Sequence, residues 1–191
     1  MTDTVGRAAA VSVADIGRIH YYSFVARITH SIALLCAGLF LVASCACYSG
    51  SRPPKIGTSA PDFTVQDAHD KYTLSQFKGQ IVVLNFWATW CAPCVEEVPS
   101  LVEMQRRMKS KGVTVLAVSV DVDDAKYLRF KTEHNVNLLT VRDPDQKSSG
   151  LYGTSKFPET YVIDRNGVMR RKFIGAVDWT EPEITDFLSK L

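Results

Sequence analysis

The sequence predicts an α/β protein in which a mixed central sheet is flanked by helices. Three observations lead there. Two continuous apolar runs, IVVLNFW and VTVLAVSV, have the length and the β-branched and aromatic content of strands buried on both faces. The segment between them, VEEVPSLVEMQRRMKSK, repeats apolar residues at helical spacing. Further on, Asn166-Gly167 separates two strand-like runs and marks a hairpin turn. Strand, helix, strand and helix followed by hairpin and helix is the order of an α/β sandwich.

The bulk numbers agree. The chain has 191 residues, enough for one compact domain with a core and a short appendage. Hydrophobic residues make up 46% and charged residues 22%, a globular composition. Lys and Arg number 22 against 20 Asp and Glu, and a net charge of +2 asks for neither nucleic acid nor an acidic partner. The 5 cysteines are not spread as a disulfide framework: Cys36, Cys45 and Cys47 crowd the N-terminal region, and Cys91 and Cys94 form a close pair.

Taken in order, residues 1–44 read as a signal segment, 45–56 as a tether and 57–191 as the folded domain. SIALLCAGLFLVASCA is uncharged and mostly apolar, with Arg18 and Arg27 before it and small residues at its end. It is short for a membrane span, which needs about 20 residues. Val42-Ala43-Ser44-Cys45 resembles the bacterial lipobox, which makes Cys45 the candidate lipidated residue and a lipid-anchored protein outside the cytoplasm the expectation. A plain cleaved signal and an uncleaved anchor are the alternatives. Cys36 would leave with the signal, and Cys47 has no assigned role. The polar, proline-bearing stretch that follows suits a tether.

Within the domain, residues 62–65 and 71–74 suggest short strands around a turn at 67–70. The buried strand of residues 81–87 comes next, then the helix, with Pro99 expected to kink it and Gly112 to end it. After the strand at 113–120, Asp121 or Asp123 caps a helix running to about His134. A short strand at 138–141, a turn and helix start at 143–145, the hairpin of 160–164 and 168–174, and a helix over 181–191 complete the chain.

The pair in WCAPC has three readings. A structural disulfide across two residues closes a very small loop and gains little chain entropy. Zinc needs about four ligands, and His69 and His134 stand in no ligand-like spacing with the pair. The redox reading fits the position, between a buried strand and a helix start. A helix N-terminus stabilises a thiolate at Cys91, while Cys94, one turn inside, is shielded and placed to attack a mixed disulfide.

WCAPC between NFWAT and VEEVP, with SKFPETYVID downstream, resembles thioredoxin-like proteins, and most closely the exported TlpA/ResA/DsbE-type reductases. The resemblance covers residues 57–191. It implies a thioredoxin-like fold with an N-terminal β-hairpin extension and a central helix–strand insertion. By position it makes Cys91 the nucleophile, Cys94 the resolving thiol, and the two together the redox-active disulfide. It also makes Pro158 the cis-proline facing the pair. A cis-proline bends the chain and lets the preceding backbone pair with a bound substrate strand. Phe157 and the more exposed Trp90 are then the other substrate contacts, while Trp87 is expected in the core. Glu97, three residues after Cys94, matches a carboxylate of the related reductases and is the candidate proton shuttle for Cys94. The plain alternative is an exposed helix glutamate. Cytosolic thioredoxins use a buried aspartate on the preceding strand, but here that position is Asn85, which cannot titrate.

The expected activity is therefore thiol:disulfide exchange in the direction of reduction, with no metal or organic cofactor. The resemblance implies a disulfide-bearing protein substrate, with apocytochrome c as one candidate, and recharging by a membrane electron carrier of the CcdA/DsbD type. A peroxiredoxin-like peroxidase is one rival, but Thr89 precedes Cys91 at the wrong spacing. A copper-binding Sco-like module is the other, but its wider cysteine spacing and added histidine are lacking. The acidic run DVDD at 121–124 reads as helix capping, and Asp164 to Gly167 as a turn rather than a calcium loop.

Overall fold

The structure, a computed structural model, describes residues 53–191. The signal segment, most of the tether, and Cys36, Cys45 and Cys47 lie outside the described residues.

The N-terminal hairpin forms as expected: β1 (Thr64–Gln66) and β2 (Lys71–Thr73) pair antiparallel, with Val65 opposite Tyr72, and form a small sheet of their own. A single 3-10 turn, Leu74–Phe77, follows and buries Leu74 and Phe77. β3 (Ile81–Trp87) is buried along its whole length, as its unbroken apolar run requires. α1 (Ala92–Met108) then leads to β4 (Val113–Ser119), α2 (Asp124–Glu133) and β5 (Leu139–Arg142). A one-turn helix α3 (Lys147–Leu151), the hairpin β6 (Glu159–Ile163) and β7 (Met169–Ile174), and α4 (Pro182–Ser189) complete the order.

The main sheet has the strand order β5-β4-β3-β6-β7. β3, β4 and β5 are parallel neighbours, while β6 runs antiparallel to both β3 and β7, so the sheet is mixed. The helix–strand segment between β4 and β6 supplies β5 as an edge strand. Side-chain alternation divides the core into two layers. Ile81, Val83 and Trp87 pack with Leu101 and Met104 of α1, Tyr127 of α2 and Leu188 of α4. Val82, Leu84 and Phe86 face the other way, onto Val65, Leu74, Phe77 and Tyr152.

Register sets the functional end. Trp87 pairs with Ser119, Phe86 with Glu159, and Glu159 with Ile174. The ends of β3, β4 and β7 and the start of β6 therefore meet at one edge of the sheet. Pro99 lies inside α1, which runs on to Met108. Of the two capping candidates, Asp123 caps α2, accepting the Lys126 N–H at 3.0 Å, while the Asp121 carboxylate turns back toward the loop before the cysteines.

Candidate active site

β3 ends at Trp87, and the chain turns sharply, with the Cys91 N–H donating to the Ala88 carbonyl at 3.2 Å. Cys91 is the N-cap of α1 and has extended backbone angles. Its Sγ accepts the Cys94 N–H at 3.3 Å, the place a serine or aspartate oxygen takes in an ordinary cap. Pro93 fits the first turn, where a missing N–H leaves no bond unmade. Cys91 and Cys94 are joined as a disulfide with Cα atoms 5.2 Å apart. Cys94 is 1% exposed and Cys91 6%, so the sulfur at the helix start is the more accessible of the two.

Glu97, one turn further along α1, is 3% exposed, which removes the surface-glutamate alternative. Its Oε1 accepts the Trp179 indole N–H at 2.5 Å, and its Oε2 faces the Asn85 amide at 3.4 Å. Asn85 also donates to Thr160 Oγ1 at 2.8 Å. The period of two along β3 and β6 puts Asn85 and Thr160 on the α1 side of the sheet. Burial pushes the Glu97 carboxyl up to about 7, against the opposing pull of hydrogen bonds from Trp179, the Val177 backbone and Asn85. The position that cannot titrate thus helps hold the one that can.

The Phe157–Pro158 peptide bond is cis. Phe157 is half-buried against both core layers, and its ring meets Trp90 edge-on with centroids 6.1 Å apart. Trp90 is 66% exposed, while Trp87 is buried against Tyr127 and Phe130. Val122, in the loop after β4, and Ile174, at the end of β7, are also exposed apolar residues. Glu159, directly after Pro158, is buried, pairs with Lys172 Nζ at 2.5 Å and accepts the Thr154 hydroxyl at 3.2 Å. The Thr89 hydroxyl donates to Asp121 Oδ1 at 2.7 Å, so it is engaged away from Cys91. Among the described residues, no three Cys, His, Asp or Glu side chains cluster as a metal-ligand set.

The structure thus brings Cys91, Cys94, Glu97, Trp90, Phe157 and Pro158 to one end of the sheet. Sequence reasoning missed Trp179, Asn85 as a partner of Glu97, Asp121 and Glu159. Asn85 did leave a signal: a lone amide inside IVVLNFW is a buried polar group that must find a partner. Trp179, 82 residues from Glu97, left none.

The family model described as the AhpC/TSA family matches residues 56–172. The thiol-disulfide oxidoreductase ResA of Bacillus anthracis is 34% identical over 145 residues, 75% of this chain and 83% of that protein. ResA of Bacillus subtilis (strain 168) is 32% identical over 159 residues, 83% of this chain and 87% of that protein. Among solved structures, a Chlorobium tepidum chain described as a thiol:disulfide interchange protein DsbE superposes with a TM-score of 0.63 at 31% identity. The match covers 71% of this chain and 94% of that one.

Proposed function

The chain belongs to the AhpC/TSA family and is a thiol:disulfide oxidoreductase of the thioredoxin-like type, and from that premise we propose that it is a reductase held at a membrane outside the cytoplasm. The observation that carries the chemistry is the Cys91 sulfur at the N-cap of α1, with the Cys94 N–H aimed at it.

In the reduced enzyme, the same N–H and the α1 dipole favour the Cys91 thiolate. That thiolate attacks one sulfur of a substrate disulfide. A mixed disulfide forms, and the first substrate thiolate leaves and takes up a proton. Cys94 then loses its proton to the Glu97 carboxylate and attacks Cys91 Sγ. The mixed disulfide breaks, and the second substrate thiolate leaves. The substrate has gained two electrons, and the enzyme holds the Cys91–Cys94 disulfide. A dithiol donor of the CcdA/DsbD kind recharges it by the reverse exchange, with Glu97 returning the proton.

The partner is a protein. Trp90 and Phe157 offer an apolar contact beside the disulfide, and the backbone before Pro158 can pair with an extended segment. Apocytochrome c, with its haem-attachment cysteines, is one such substrate. The tether and the lipidated Cys45 rest on the sequence motif.

The test is a Cys94→Ser trap in cells. It should accumulate mixed disulfides that run as higher-mass bands and collapse under reductant, while Cys91→Ser shows none. Capture by Cys91→Ser alone would reverse the two roles. Purified wild-type protein supplied with dithiothreitol as dithiol donor should also speed the reduction of insulin disulfides, and inactivity there would end the reductase reading.

A further inference from the structure

The loop that presents Trp90 and Cys91 is tied to the loop after β4 by a buried carboxylate. Asp121 Oδ2 accepts the Thr89 N–H at 2.9 Å and the Ser119 hydroxyl at 2.5 Å, and Oδ1 accepts the Thr89 hydroxyl at 2.7 Å. The residues next along from this link are Trp90 and Val122, both exposed and apolar. The far side of the link is secured separately. Arg142 Nη1 donates to the carbonyls of Asp121 at 3.3 Å and Val122 at 3.0 Å, while Nη2 lies 2.8 Å from Asp124 Oδ1 as an ion pair. The Arg142 N–H in turn donates to Asp67 Oδ2 at 2.8 Å, which joins the turn of the N-terminal hairpin to the same cluster. Helix capping, the reading the sequence suggests for this acidic run, is met by Asp123 alone.

We infer that Asp121, backed by Arg142, is a positioning residue for protein substrates: it sets where Trp90 and Cys91 stand relative to Val122. The inference rests on the reductase reading and deepens it. The carboxylate touches neither sulfur. Its bonds are largely buried and tie Thr89, one residue before Trp90, to the loop after β4. A large partner needs both apolar residues in place at once, whereas a small disulfide needs only an accessible sulfur.

The experiment compares wild type, Asp121→Ala and Asp121→Asn on insulin and on hydroxyethyl disulfide, with dithiothreitol as the dithiol donor that recharges the enzyme and its uncatalysed rate subtracted. Asp121→Ala should raise KM for insulin about tenfold with kcat changed less than about threefold, and turn over hydroxyethyl disulfide at the wild-type rate. Asp121→Asn should stay within about twofold of wild type on insulin. Its amide oxygen can take the Thr89 N–H and the Ser119 hydroxyl, and its NH2 can donate to the Thr89 hydroxyl. Wild-type behaviour of Asp121→Ala on insulin would overturn the inference. So would equal losses on the two substrates, or a failure of Asn to restore what Ala loses. If Asp121→Ala does not fold, Thr89→Val keeps the N–H bond and deletes the hydroxyl bond, and should raise the insulin KM about threefold; an unchanged KM there overturns the inference too. Failure of the reductase reading shows differently, as wild-type protein inactive on insulin.

Discussion

At Glu97, burial and hydrogen bonding pull in opposite directions. Removal from water raises its pKa most; the Trp179 indole, the Val177 backbone and the Asn85 amide pull it back, and the balance settles at about 7. A carboxyl whose pKa is higher folded than unfolded binds its proton more tightly in the folded state. Its contribution to stability is therefore full below the ordinary value of 4.5 and is lost as the pH rises through about 7. The amount at stake is about 3 kcal/mol. Urea denaturation of the oxidised protein between about pH 5 and about pH 8 should show this fall, and Glu97→Gln should flatten most of it. In the reduced protein, Glu97→Gln should also shift the pH dependence of thiol alkylation; an unchanged curve would leave Glu97 without a proton-transfer role. Trp179→Phe removes a donor that favours the charged form, so it should move the midpoint of the stability change upward by up to about one pH unit.

Each element start near the site is made by a particular cap. For α1 it is Cys91, so the proposed nucleophile also caps the helix backbone. For α2 it is Asp123, whose side chain takes the Lys126 N–H. Asp123→Ala should lower the midpoint of chemical denaturation through loss of the cap and leave insulin reduction unchanged, since its exposed ion pair with Lys126 adds little. The turn from α1 into β4 needs Gly112, whose φ is 77°, and a Cβ there would lie 2.7 Å from Arg165 Nη1. Gly112→Ala should therefore lower stability by about 1 kcal/mol or more. Most element boundaries lie within a residue or two of those read from the sequence, because buried runs, caps and the Asn-Gly turn are local signals. At α3 the turn and helix start read at Asp143-Pro-Asp145 leads into a single helical turn, Lys147–Leu151.

For the molecule as a whole, the reactive end of the sheet is also its apolar end. Trp90, next to Cys91, is exposed there, as are Val122 after β4 and Ile174 at the end of β7, which suits a protein partner better than a small polar one. Among the described residues no helix is long and apolar enough to cross a membrane; the proposed lipid anchor rests on the motif that ends at Cys45. Metabolic labelling with a fatty acid should mark the wild-type chain and not Cys45→Ala. Retained label in that variant would remove the lipid anchor from the proposal.

Pro158 and Glu97 are singled out by the family resemblance, while the strand runs and the WCAPC pair at a helix start are legible in the chain because each depends on neighbours a few residues away. They were enough for an α/β redox domain and for its two sulfurs. The surroundings of Glu97 were not legible. Its partners, Asn85 on β3 and Trp179 before α4, are far apart in sequence and meet it only when the sheet and helices pack. The same holds for Asp121, whose neighbours in sequence suggest a helix cap and whose partner in space is Thr89. Hydrogen bonds and burial act over a few ångströms of space whatever the separation along the chain. The pattern of residues could therefore name the reacting atoms, but the packing had to supply the environment that tunes and aims them.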